Sequence, residues 1–328
     1  MDLKESISVS TFYNKQLIYQ SFRDKLISFF GRSDDAKQLL LEFDEVDREG
    51  CVVKSDKKDS CWFMNDTTPL MESASRGYFD IVCFLVETVK CDVNQINFED
   101  KSPLYKACEG GKTDVVKLLL QNNAYVYQTE SDMYREFPLF VACSEGHIEI
   151  VRLLLQNDAD VYQCNVNEES PLYVACRRGH TDIVKLLLQN IANVSQCNNA
   201  EKSPLYAACK RGHTDILKLL LQNNAEVSKC SIYGFSPLFV ACKGGHTETV
   251  KLLLQNNAEV SQCNNYGMSP LFVACARGHT DTVKLLLQHS SDVALCHDIE
   301  GSLLHVACLG GHIDTVKLLL QYNTDVSF

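Results

Sequence analysis

The sequence predicts an all-α repeat solenoid, and three observations carry that prediction. Seven prolines, Pro69, Pro103, Pro138, Pro171, Pro204, Pro237 and Pro270, follow one another in steps of 34, 35, 33, 33, 33 and 33 residues. Leu303 stands where the next proline is due, in an otherwise matching segment. From the second copy on, each proline is followed by a short apolar stretch, a glycine and a Leu-Leu-Leu run. A fixed period of this size signals stacked supersecondary units, each covering apolar surface of its neighbour. The array is predicted over 66–328, with repeats starting near 66, 100, 135, 168, 201, 234, 267 and 300.

Residues 1–65 do not share the period. Ile18, Phe22, Leu26, Phe29 and Phe30 follow helical spacing. Ser33-Asp34-Asp35 opens a second helical stretch carrying Leu39, Leu40, Leu41 and Phe43, and Asp44 to Ser60 reads as a loop. Because a solenoid needs covered ends, this N-terminal helical segment is expected to cap repeat one, with a remnant of another domain as the alternative. The far end still reads Val316-Lys317-Leu318-Leu319-Leu320, without the polar outer face of a terminal repeat. That face is therefore expected to be exposed, to pair, or to continue into a longer chain.

The fourth copy shows how one repeat works. Ser170 can cap a helix whose first position is Pro171, where a missing N–H costs nothing. Leu172, Ala175 and Cys176 form its apolar stripe, and Gly179 ends it. Thr181 and Asp182 open a second helix, the carboxylate facing the positive end of its dipole. Ile183, Val184, Leu186, Leu187 and Leu188 are more apolar surface than one helix pair can hide. Each buried aliphatic contributes roughly 1.5–3 kcal/mol, so stability is expected mainly between repeats. Asn123, Asn224 and Asn257 then stand where a helix stop needs a left-handed residue. Ile191 holds that place in repeat four, which predicts a local distortion or a different cap. A polar hairpin links each unit to the next.

This pattern resembles the ankyrin repeat, with its Thr-Pro-Leu-His, Ala-Ala, Gly-His and Leu-Leu-Leu segments. The resemblance covers about 66–328 and implies a helix-turn-helix-hairpin stack. The family's motif histidine is replaced by Met71, Tyr105, Phe140, Tyr173, Tyr206, Phe239 and Phe272, and remains only as His305. The second alanine is cysteine in seven copies.

Several functions are argued against. No apolar run approaches the roughly 18 residues of a membrane span, and the start, Met1-Asp2-Leu3-Lys4-Glu5-Ser6, lacks a secretory leader pattern. The sixteen cysteines include no Cys-x2-Cys pair. Stacked helices lie roughly 8–10 Å apart, too far for bridges within a column, so small buried thiols in a reducing compartment are expected. The cytoplasm is the expected location, with the nucleus as the alternative. Gly110-Gly111-Lys112-Thr113 resembles the end of a phosphate-binding loop, but Lys106 stands where its first glycine is required. His147, His180, His213, His246, His279 and His312 recur once per repeat, which suits packing and turn hydrogen bonds better than a metal site. No nucleophile–base–acid arrangement stands out, and no cofactor, metal, membrane or small-molecule substrate is expected.

Recognition is expected where the repeats differ. The resemblance implies a concave surface made of hairpin tips and first-helix ends. There, repeats four to seven carry six cations, Arg177, Arg178, Lys210, Arg211, Lys243 and Arg277, on a chain of net charge −11. At roughly 10 Å per repeat these would form a strip about 30 Å long. Tyr233, Phe235, Tyr266 and Met268 lie at the neighbouring tips and supply anchors of the kind that dominate interface energies. The predicted function is a non-enzymatic scaffold or adaptor that binds an acidic or phosphorylated protein segment through this face. Nucleic-acid binding along the strip is the alternative, opposed by the overall acidity.

Overall fold

The period dictates paired helices, and the computed structural model shows them. It describes residues 45–46, 52–53, 68–97, 99–127, 137–289 and 303–322. The chain divides into two compact units, Met1–Asp160 and Val161–Phe328.

The first unit opens with β1 (Glu45–Val46) and β2 (Val52–Val53), paired antiparallel with Glu45 opposite Val53. This small ladder lies inside the stretch expected to be a loop. The helices predicted before it fall outside the described residues. Three repeats follow: α1 (Pro69–Arg76) with α2 (Phe79–Cys83), α3 (Pro103–Glu109) with α4 (Thr113–Gln121), and α5 (Pro138–Glu145) with α6 (Ile148–Gln156). First helices pack on first helices, α1 on α3 and α3 on α5, and second helices do likewise. Helix α2 runs directly into a π-helical segment, Phe84–Val89, that ends on Lys90 at φ 62°. Lys90 lies one residue farther from its proline than Asn123 does from Pro103. The wider helical turn absorbs the extra residue of the first, 34-residue step.

The second unit holds α7 (Pro171–Arg178), α8 (Thr181–Gln189), α9 (Pro204–Arg211), α10 (Thr214–Gln222), α11 (Pro237–Gly244), α12 (Thr247–Gln255), α13 (Pro270–Arg277), α14 (Thr280–His289), α15 (Leu303–Leu309) and α16 (Ile313–Gln321). Odd-numbered helices form one packed row and even-numbered helices the other. Leu303 opens α15 as the prolines open its counterparts.

The caps follow from the sequence. The Ser170 hydroxyl accepts the Tyr173 N–H at 3.1 Å, and Ser102, Ser203, Ser236 and Ser269 repeat this bond at 3.0–3.2 Å. Repeat three has Phe137 at the cap and no side-chain bond there. Asn123, Asn224 and Asn257 are left-handed, with φ 62°, 60° and 61°. Ile191 has φ 64° and keeps the ordinary cap, its N–H bonding Leu188 O and that of Ala192 bonding Leu187 O. The distortion predicted there is absent. At 79% exposure its side chain meets no crowding, so the strain stays in one residue.

The core is a ladder of Leu-aromatic-x-Ala-Cys segments. Cys108, Cys143, Cys176, Cys209, Cys242 and Cys275 are fully buried, and burial pushes the Cys275 thiol up to about 12. Cys308, at the last repeat, is exposed, as are Leu309, Ile313 and Leu320. In repeats six to eight the second helix replaces a buried aliphatic with Thr249, Thr282 and Thr315. Their hydroxyls meet Thr214, Thr247 and Thr280 of the preceding repeats at 3.0, 3.1 and 2.8 Å. The hydroxyls satisfy one another, which removes the cost of burying them.

Candidate functional site

The hairpins of the second unit are built by asparagine. Asn198 Oδ1 accepts the N–H groups of Ala200 and Lys202, both at 3.0 Å, and its own N–H bonds Lys202 O at 3.1 Å. Asn165 and Asn264 do the same in repeats four and seven. Ser231 takes this place in repeat six, where Gly234 at φ 74° makes the turn. Successive tips are tied by main-chain bonds, Asn199 N–H to Asn167 O at 3.1 Å, Ile232 N–H to Ala200 O at 3.2 Å and Asn265 N–H to Tyr233 O at 3.1 Å. The hairpins thereby place Glu169, Lys202, Phe235 and Met268 at one equivalent position in four successive repeats. The last turns of the first helices supply Arg177, Lys210 and Lys243 at another.

The histidine column holds this edge together. The Cβ that an alanine would bring to Gly212, at φ 75°, would lie 2.6 Å from the His246 ring. With its proton on Nε2, His246 donates to Lys210 O at 3.3 Å, and His279 and His312 donate in the same way to Lys243 O and Ala276 O at 3.2 Å. Burial, followed by the charge of Arg211, lowers the His213 pKa from 6.5 against the hydrogen bond to the Arg177 backbone. These rings fix the main chain that carries the basic strip. Lys112 plays the steric part of histidine beneath Gly77, where its Cδ would lie 2.7 Å from an added Cβ. The resemblance to a phosphate-binding loop is thus a turn substitution.

The six strip cations fall into two groups. Arg177 is already engaged, with Nη1 2.9 Å from Glu169 Oε1 and its guanidinium 5.9 Å from the centre of the Tyr173 ring. Burial, then Glu169, pushes the Tyr173 hydroxyl up to about 12. Arg178, Lys210, Arg211, Lys243 and Arg277 are exposed, and no ion pair involves them among the described residues. Lys210 is held below its ordinary 10.5 by burial and then by the charges of Lys202, Arg211, Lys243 and Arg177. Lys202 was not among the residues singled out from the sequence. Its signal was available, since it lies 33 residues after Glu169.

Phe235 is the centre of the aromatic group. Its ring lies 5.0 Å from Phe239, 6.4 Å from Tyr233 and 6.2 Å from Tyr266, all tilted. Tyr233 and Tyr266 remain 49% and 53% exposed, while Phe235 and Met268 are half-buried. Such tilted contacts are favoured by the ring quadrupoles and leave two faces open to a ligand.

The cysteine expectation needs one correction. Cys263 is disulfide-bonded, while twelve other cysteines among the described residues are free. The helix-spacing argument does not apply to the hairpin column, because neighbouring hairpins bond directly and approach more closely. Gln196 Nε2, for example, donates to Cys164 Sγ in the preceding repeat at 3.0 Å. Among the described residues no three His, Cys, Asp or Glu groups could hold a metal ion, and no helix is long and apolar enough to cross a membrane.

Similarity to known proteins matches this geometry. The crystal structure of the human ASB11 ankyrin repeat domain is similar with a TM-score of 0.63 and 29% identity, covering 70% of this chain and 100% of that one. The 26S proteasome non-ATPase regulatory subunit 10 of Dictyostelium discoideum is 33% identical over 87 residues, 26% of this chain and 35% of the relative. Alpha-latrocrustotoxin-Lt1a of Latrodectus tredecimguttatus is 47% identical over 58 residues, 18% of this chain and 4% of the toxin. The chain therefore spans only a minor part of these two relatives. The family model described as ankyrin repeats (3 copies) matches residues 26–130, 70–165, 126–198, 191–264 and 238–328. With this coverage and this helix stack, the chain belongs to the ankyrin repeat family.

Proposed function

We propose that this protein is a non-enzymatic interaction scaffold or adaptor that holds an acidic or phosphorylated protein segment on the concave face of repeats four to seven. Ankyrin repeats generally mediate protein–protein interaction, and protein partners follow from that. One observation carries the finer reading. Arg178, Lys210, Arg211 and Lys243 are exposed and have no acidic partner among the described residues, and hairpins of the same run of repeats expose Tyr233 and Tyr266, on a chain of net charge −11. Exposed cations without internal partners, together with aromatic anchors on the same run of repeats, suit an anionic chain with apolar side groups. The twelve free thiols support a place in the cytoplasm or nucleus, and the Cys263 bond runs against it.

The test compares partners captured from native lysate by the wild-type chain and by a variant with Arg178→Glu, Lys210→Glu and Arg211→Glu. The expected result is loss of a defined partner with unchanged helicity by circular dichroism. An identical partner set would refute the assignment to this face. The exposed tyrosines also suit base stacking, which is what favours the nucleic-acid reading. Steep salt dependence in binding to random single-stranded RNA, lost in the same variant, would establish that reading instead.

A further inference from the structure

We infer that the corner of repeat five is a phosphoryl-binding subsite, formed by Lys202, Lys210 and Lys243, and that it selects a phosphorylated segment carrying an apolar residue about three positions away. This rests on the proposed partner-binding face and names the chemistry it takes.

The argument begins with two equivalent corners. In repeat four the hairpin residue Glu169 reaches the helix residue Arg177 at 2.9 Å, and the carboxylate is nearly buried. Thirty-three residues later the same two places hold Lys202 and Lys210. The backbone is the same, with Asn165 N–H on Glu169 O and Asn198 N–H on Lys202 O, both at 3.1 Å. The repeat therefore brings two ammonium groups to places built for an ion pair. Lys243, on the following repeat, adds a third charge to the field felt at Lys210. Among the described residues no carboxylate pairs with any of the three.

Like charges gathered at one corner repel, and a bound anion relieves that repulsion more directly than solvent and salt do. A carboxylate supplies one negative charge. A phosphorylated side chain supplies about −1.5 to −2 with three acceptor oxygens, matching three donors. The next corner differs in kind: Phe235 replaces the charge and is packed among Tyr233, Phe239 and Tyr266. Neighbouring repeats are about 10 Å apart, which an extended chain covers in about three residues. A phosphoryl group over repeat five thus places an apolar side chain three residues away over repeat six.

The probes are fluorescent nine-residue degenerate peptides centred on phosphoserine, glutamate or serine, each with Phe fixed three residues before or after the centre. They are titrated against the full chain by anisotropy. The phosphoserine sets should bind at least about tenfold tighter than the glutamate sets, as a doubly charged, three-acceptor group predicts. Moving Phe by one position should weaken them. Lys202→Glu should reduce phosphoserine binding at least about tenfold while leaving the fold intact, because it recreates the pair already present in repeat four. Equal binding of phosphoserine and glutamate sets, unchanged binding by Lys202→Glu, or displacement of the peptide by random RNA at lower concentration would each overturn the inference. The two proposals separate in the lysate. A partner lost in the triple charge reversal but still captured after phosphatase treatment keeps the interaction face and refutes the phosphoryl subsite.

Discussion

Repeats four and five share their first-helix scaffold and differ at one corner, the helix stop of Ile191 against Asn224 aside. Both have a serine cap, a proline at the first helical position, a left-handed glycine and a buried Ala-Cys pair. Repeat four closes its corner with Glu169 and Arg177, whereas repeat five holds Lys202 and Lys210 at the same two places. The comparison separates what a repeat needs for folding from what it is free to vary. A scaffold position is costly to change in either repeat. A corner position is costly only where its partner is internal.

That contrast can be broken at several levels. The largest effect belongs to the shared core. Leu172→Ala and Leu205→Ala remove side chains that are 1% and 0% exposed, and each should cost about 2–5 kcal/mol by urea unfolding. A large difference between the two would show that the repeats are not equivalent supports. Gly212→Ala comes next, because it meets both the left-handed backbone and the His246 ring. Its expected cost is about 1–3 kcal/mol, with faster amide exchange around Lys210.

The corner itself should respond with opposite signs. Glu169→Lys breaks a partly buried pair and should destabilise repeat four by about 1–3 kcal/mol. Lys202→Glu creates the corresponding pair and should stabilise repeat five by at most about 1 kcal/mol. Destabilisation by both substitutions would remove the equivalence of the corners. Ile191→Asn should add roughly 0.5–1 kcal/mol, by placing in the left-handed position a residue that accepts it. The smallest effect is a pH dependence from His213. Its folded pKa lies below the unfolded 6.5, so the unfolded state binds protons first as the pH falls. Stability should be full above about pH 6.5 and decline below it as the ring becomes charged. Replacing His213 with Asn should flatten that part of the curve in urea titrations at different pH.

Much of the fold was legible because the repeat reports on itself. Prolines, serine caps and left-handed asparagines each have a local cause, and seven copies share the proline, five the bonded serine cap and three the left-handed asparagine. The π-helical segment was not legible. A 34-residue step shows that one residue is extra but not whether helix or loop takes it. Ile191 takes the left-handed conformation its place predicts, but without the predicted distortion, because its exposure is a tertiary property that sequence does not show. The strip was visible as charge, yet nothing local told a paired cation from a free one. Arg177 became engaged only when the hairpin returned Glu169 to it, and Lys202 gained meaning only beside Lys210. The Cys263 bond is not legible in the repeat spacing, because the distance between helices says nothing of how closely hairpins approach.

The most direct test is the titration of the Lys210 ammonium group by NMR, in the wild type, in Lys202→Glu and in the presence of inorganic phosphate. The account predicts a pKa below the ordinary 10.5 in the free protein, a rise in Lys202→Glu and a rise in the wild type with phosphate. An ordinary value in the free protein, unmoved by either change, would contradict the central claim that repeat five holds its cations apart from any internal partner and ready for an anion.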